Sequence, residues 1–243
     1  MKNHFAPIII SIAVIISVLL LANAYKYKFR AQENVSVVGL AEVDFVSNLI
    51  VWQGSFSRKS YELKDAYAAL KNDENQIRAY LKSKGIADSS VVLSSVYINK
   101  DYNNTFDKAG NITGNNFSGY TLTQTVKIES MDIDKVETLS REVTELIEKG
   151  IELNSSAPLY FYTKMADLKM DLLAKASADA KARAETISKS VGSSLGKAQK
   201  ANMGVFQITG KNRNEEFSYG GSFNTEDKFK TASVTIRMEY ALE

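Results

Sequence analysis

"YTLTQTVKIE", Tyr120 to Glu129, is the stretch on which the fold turns. Tyr120, Leu122, Val126 and Ile128 share one parity; Thr121, Thr123, Thr125, Lys127 and Glu129 share the other. A strand with this alternation has one apolar and one wet face, the pattern of an antiparallel sheet covered on one side.

The neighbouring segments supply the cover. Downstream, Asp132 reads as an N-cap, and Ile133, Val136, Leu139, Val143, Leu146 and Ile147 give an amphipathic helix that stops at Gly150. "IELNSSAPLYFYT" then reads as a strand, with Pro158 assigning it to an edge or a bulge. Upstream, Leu63, Ala66, Tyr67, Leu70, Ile77 and Leu81 mark a helix over Tyr61–Lys82, with Gly85 as its stop. A strand over Ser90–Tyr102 and a polar loop, "NNTFDKAGNITGNNFSG", separate that helix from Tyr120. With a strand over Asn48–Ser57, residues 48–162 read β-α-β-β-α-β, the split-βαβ arrangement.

Further out, Val35–Val43 is a Val-rich strand containing Gly39, joined to the next by a turn at "DFVS". Ala166–Ser190 is an Ala-rich helix whose stripe runs through Leu168, Leu172, Ala176, Ala180, Ala184, Ile187 and Val191 and ends at Gly192. A strand over Ala198–Thr209, a long loop "GKNRNEEFSYGGSFNTEDKFK" and a closing strand "TASVTIRMEYA" follow. In the last, Ala232, Val234, Ile236, Met238 and Tyr240 face inward. The order ββαββαβαββ, with three main helices, is an α+β fold of mostly antiparallel strands, and residues 34–243 read as one domain.

Composition removes several chemistries. The chain has no Cys and a single His, His4, so Cys/His metal sites, a Cys nucleophile and a Ser–His–Asp triad lack their parts. Four of the 30 Lys/Arg and none of the 28 acids lie in residues 1–30, which leaves the body at a net −2 and without the basic footprint of a nucleic-acid binder.

The N-terminus carries the strongest local signal. Ile8–Ala24 is an uncharged run of 17 residues, roughly 25 Å as a helix and at the lower limit for a membrane span. It also fits a signal peptide, with Ala22-Asn23-Ala24 as a cleavage site. Residues 1–24 are therefore expected to be a membrane anchor or a signal peptide, residues 25–33 a linker, and the body exported. As an anchor, residues 1–24 form a single-pass helix with the domain facing the periplasm or exterior; as a cleaved signal, they leave a soluble periplasmic protein.

Candidate functional residues are few. Glu42 and Asp44 point the same way if one strand runs through both, but strand-end acids are ordinarily solvated. Trp52, among Leu49, Ile50 and Val51, fits the core or a subunit interface better than a ligand platform. Tyr160, Phe161 and Tyr162 could stack a sugar or join subunits. Phe217, Tyr219 and Phe223 sit in the long loop, which is flexible by composition and expected to be mobile or to contact a partner. No catalytic, metal or cofactor residues emerge, and the chain is not expected to be an enzyme.

A likeness follows from the series "VSVVGLAEV", "KSKGIADSSVVLSSVYI", "SGYTLTQTVKIESMDIDKV", "LAKASADAKARAETISKSVGSSLGKA" and "ASVTIRMEYAL". In this order they resemble the SIMPL-domain family, which includes bacterial periplasmic immunogenic proteins. Gly192, Leu195 and Gly196 match its Gly-x-x-Leu-Gly run, and Gly119-Tyr120 its Gly-Tyr. Ser47-Asn48 stand where the family often has Pro-Asp. The resemblance implies an exported α+β envelope protein that self-assembles into a homo-oligomer, with no settled activity and a link to stress tolerance. The alternative is an exported module that binds a small molecule or glycan.

Overall fold

The computed structural model describes residues 5–28, 34–213 and 218–243. Their architecture is α+β, with antiparallel pairing dominant. Two compact units divide the chain. One holds residues 1–41, 173–204 and 235–243; the other holds residues 42–172 and 205–234.

The second unit contains the split-βαβ core. β2 (Leu49–Ser60) pairs antiparallel with β5 (Ile112–Ser130) from Ile50↔Ser130 to Ser60↔Tyr120. β3 (Val91–Leu93) and β4 (Tyr97–Phe106) share the far edge of β5. β6 (Leu153–Ser155) and β7 (Leu159–Phe161) share the far edge of β2, on either side of Pro158. Proline cannot donate to a ladder, so the chain breaks pairing there and resumes it. Helices α2 (Leu63–Ser83) and α3 (Ile133–Glu142) pack on β2 and β5. Ile50, Trp52, Phe56, Leu122, Val126 and Ile128 fill the space beneath them with Leu70, Ile77, Leu81, Val136 and Leu139. Asp132 caps α3 by accepting from the Lys135 N–H (3.2 Å), and Gly150 ends the following 3₁₀ turn at φ 71°. Arg58, on the covered face of β2, pairs with the buried Asp73 of α2 and donates to the Gly150 carbonyl (2.7 Å).

Several sequence boundaries move, among them the strand predicted over Ala198–Thr209, which divides at residues 204–206. The strand predicted over Ser90–Tyr102 splits at residues 94–96. The loop predicted from Asn103 to Gly119 is mostly strand, because β4 and β5 continue pairing to Phe106↔Ile112. Polar side chains do not prevent pairing when a tight turn sets the register. Here Asp107 supplies that turn, accepting from the Ala109 and Asn111 N–H groups (2.8 and 2.9 Å). Strand β1 (Asn34–Val46) also runs through "DFV", so its connection to β2 is only Ser47-Asn48.

The same unit contains β9 (Gln207–Gly210), paired antiparallel with residues 230–233 of β11 (Phe229–Leu242), and β10 (Ser222–Phe223), parallel to β9.

In the first unit, β8 (Leu195–Met203) pairs antiparallel with residues 236–242 of β11. Helix α4 (Met165–Ser190) contributes the buried Ala176, Ala180 and Ala184. Gly39 of β1 is required by that contact, because a Cβ there would lie 2.6 Å from the Ala180 nitrogen. The Leu40 N–H donates to Asp179 of α4 (2.9 Å). Helix α1 (Phe5–Lys28) is exposed throughout residues 10–26. Among the described residues no helix is long and apolar enough to cross a membrane. The transmembrane reading of the N-terminus thus gains no support here, as its ~25 Å apolar run falls short of a ~30 Å hydrocarbon core.

Candidate interaction surfaces

Glu42 and Asp44 do lie in one strand and on one exposed face of β1. Asp44 is occupied: Lys211 pairs with it at 2.7 Å and Thr231 Oγ1 donates to it at 2.7 Å. The Lys211 and Thr231 contacts hold its carboxyl below the usual range. Both partners favour the ionised form of this acid.

Trp52 lies wholly in the core, not at a surface, and its Nε1 donates to Ser155 Oγ (2.9 Å). Its ring occupies the space over Gly54, where a Cβ would come within 2.9 Å of it. The aromatics at 160–162 are half-buried. Tyr160 packs against the core, and burial together with its hydrogen bond to Glu137 pushes its hydroxyl up to about 12. Tyr162 packs on Phe45 with ring centroids 5.0 Å apart. Of the loop aromatics, Tyr219 and Phe223 are exposed, and Phe217 lies outside the described residues.

The described part of that long loop, expected to be mobile or to contact a partner, makes several internal hydrogen bonds. Gln207 donates to the Ser218 carbonyl (2.7 Å) and accepts from its N–H (3.3 Å). Asn224 and Asp227 bond each other through backbone and side chain. Beneath them lies a residue that composition concealed. Lys230 is 2% exposed and donates to the carbonyls of Tyr160 and Asn224, both at 2.6 Å. Removal from water lowers its ammonium to about 8. One signal for it was present: the inward parity of Ala232, Val234 and Ile236 extends back to position 230.

The surfaces left open lie around β4 and β5. From Ile112 to Gly119, β5 lacks β2, and among the described residues it pairs with β4 alone. This two-stranded arm ends in Phe106 and Ile112, directly opposed and 61% and 63% exposed. At its base Phe117 makes edge-to-face contacts with Tyr61, Tyr102 and Tyr120, at centroid distances of 5.2, 5.8 and 5.0 Å. Beside them is a groove of about 500 Å³ lined by Glu62, Leu63, Lys64, Tyr67, Ile98 and Leu122. Leu63 and Tyr67 open the apolar stripe of α2, yet both are exposed. No sequence pattern distinguishes them from the buried Leu70 and Ile77, because periodicity gives the face of a helix and not the extent of what covers it.

Comparison with curated proteins gave no match. Residues 35–240 match the family described as SIMPL, protein of unknown function (DUF541), and the chain belongs to that family.

Proposed function

We propose that the protein is an exported cell-envelope component that acts by self-assembly and partner binding and catalyses no reaction. The observation that carries this reading is the β4–β5 arm. It places exposed Phe106, Ile112 and Tyr102 on a ribbon without a second layer. Two-stranded ribbons are marginal in water unless something packs on them, and a contiguous apolar surface on a secreted domain serves contact. The exposed, apolar α1 supports export, either as a retained tether or as a leader removed after Ala24. A role in stress tolerance rests on the family likeness.

Light scattering after size exclusion on residues 31–243 tests assembly, and a strict monomer at high concentration overturns it. The N-terminus of the mature protein tests the tether: a start at Met1 means an anchor, and a start at Tyr25 means release. The exposed Tyr219 and Phe223 favour a second reading, an exported module that binds a glycan or small molecule. A ligand of that kind raises thermal stability in proportion to RT ln(1 + [L]/Kd), and a glycan and metabolite screen without a shift counts against it.

A further inference from the structure

We infer that the cavity beside α2, where β3 gives way to β4, binds a small hydroxy acid, a carboxylate that also carries a hydroxyl. The site goes beyond the assembly proposed above and uses neither the β4–β5 arm nor Tyr219 and Phe223.

The sequence marks the place by a break in its own pattern. Leu122, Val126 and Ile128 of β5 are fully buried, and position 124, of the same parity, holds glutamine. Gln124 is 7% exposed. Its amide nitrogen donates to the Ser94 carbonyl (3.0 Å), and its Oε1 has no partner among the described residues. A buried acceptor left unpaired costs about 1–3 kcal/mol, so an apolar residue would serve packing better here.

The backbone opposite makes room. Leu93 pairs with Val126 and Tyr97 with Thr123, so Ser94, Ser95 and Val96 face only Gln124 and Thr125. Three residues against two make a bulge. Ser94 secures it: its N–H donates to the Thr125 carbonyl (2.9 Å) and its Oγ accepts from the Thr125 N–H (3.0 Å). Between this bulge and α2 lies a cavity of about 310 Å³ with Gln124 in its wall. That is the small end of the ~300–1,000 Å³ typical of ligand pockets.

The polar groups of the cavity define its occupant. Helix α2 contributes Lys71, Glu74 and Arg78. Glu74, 8% exposed, accepts from Lys71 Nζ (2.9 Å) and Arg78 Nε (3.2 Å). The two terminal nitrogens of Arg78 have no partner among the described residues. Two cations and one acid leave a net positive charge, and the guanidinium fork matches a carboxylate. Gln124 Oε1 accepts only, so the ligand must donate to it. A hydroxyl does so without adding charge. An ammonium would meet two cations and a carboxylate that is already paired, which disfavours an amino acid. Leu70, Leu93 and Val96 complete the walls and suit a short carbon chain.

The test titrates full-length chain in mild detergent with glycerate and with propionate, its counterpart without hydroxyls, and follows amide signals by NMR. Glycerate should saturate, shift the Gln124 side-chain amide and the backbone of residues 94–96, and bind at least roughly tenfold tighter than propionate. Gln124→Leu restores an apolar stripe, should keep or raise the urea midpoint, and should bind the two acids equally. Arg78→Gln should weaken both by roughly tenfold. The comparison of the two acids on the unsubstituted chain needs no variant, so a misfolded variant cannot mask the outcome. Equal affinity there overturns the assignment. Shifts confined to other residues do the same. Failure of either acid to saturate up to about 10 mM means that the cavity holds water only, and the site falls.

Discussion

The two halves of β5 are one continuous strand in different surroundings. From Tyr120 to Ser130 the strand has β2 on one side and helices over one face, and Leu122, Val126 and Ile128 are fully buried. From Ile112 to Gly119 it has β4 alone, and Ile112 is 63% exposed. Hydrogen bonding makes both halves strand; a second layer makes only one of them core. The difference locates stability in the inner half, and the proposed function assigns contact to the outer one.

Trp52→Ala attacks the inner half hardest. It empties the space over Gly54 and strips Ser155 Oγ of a donor, and a loss of about 3–5 kcal/mol is expected from the urea midpoint. Asp73→Ala follows closely. It leaves the half-exposed Arg58 with only the Gly150 carbonyl, and a loss of about 1–3 kcal/mol is expected. If either change proves mild, the inner half is not the seat of stability.

Lys230 extends the comparison to a buried charge. Folding holds its ammonium near 8, against ~10.4 in the unfolded chain, so between those values the unfolded state binds more protons. Stability therefore rises as pH climbs from about 8 to 10.4, by on the order of 3 kcal/mol, and the burden is fully present below pH 8. Lys230→Met should flatten that rise in urea titrations across the window. A rise of the same size in the variant assigns it to other groups.

In the first unit, Gly39→Ala forces a methyl group against the Ala180 backbone, and an overpacking cost of about 1–3 kcal/mol is expected in thermal melts. The glycine was visible in the sequence, but its reason was not. "VSVVGLAEV" shows a glycine in a strand; only the fold brings the Ala stripe of α4 against it. The inner half was legible for the opposite reason. Its side chains alternate because one layer covers one face, so period and surroundings agree from Tyr120 to Glu129. The arm escaped because Asn and Gly normally mark loops, whereas here Asn103↔Asn116 and Asn104↔Asn115 are cross-strand pairs held in register by the Asp107 turn. Among the candidate aromatics, Trp52 lies in the core, one of the two places its apolar neighbours allowed, whereas Tyr160, read as a sugar- or subunit-contacting residue, packs against the core. Their hydrogen-bond partners, Ser155 and Glu137, lie far away in sequence.

The smallest effect on stability belongs to the outer half. Phe106→Ser removes a side chain that touches little within its own chain, so the isolated monomer should change by less than about 0.5 kcal/mol. Amide exchange sharpens the contrast. Residues 113–116 should exchange rapidly in dilute protein while residues 122–128 of the same strand stay protected, because opening the ribbon short of Phe117 exposes almost no new apolar surface. Raising the concentration into the assembled range should slow exchange at 113–116 and leave 122–128 unchanged. In Phe106→Ser that slowing should vanish. Equal protection of both segments in dilute protein would mean that the ribbon is stable without a partner, and the division of β5 into a packed half and a contacting half would fail.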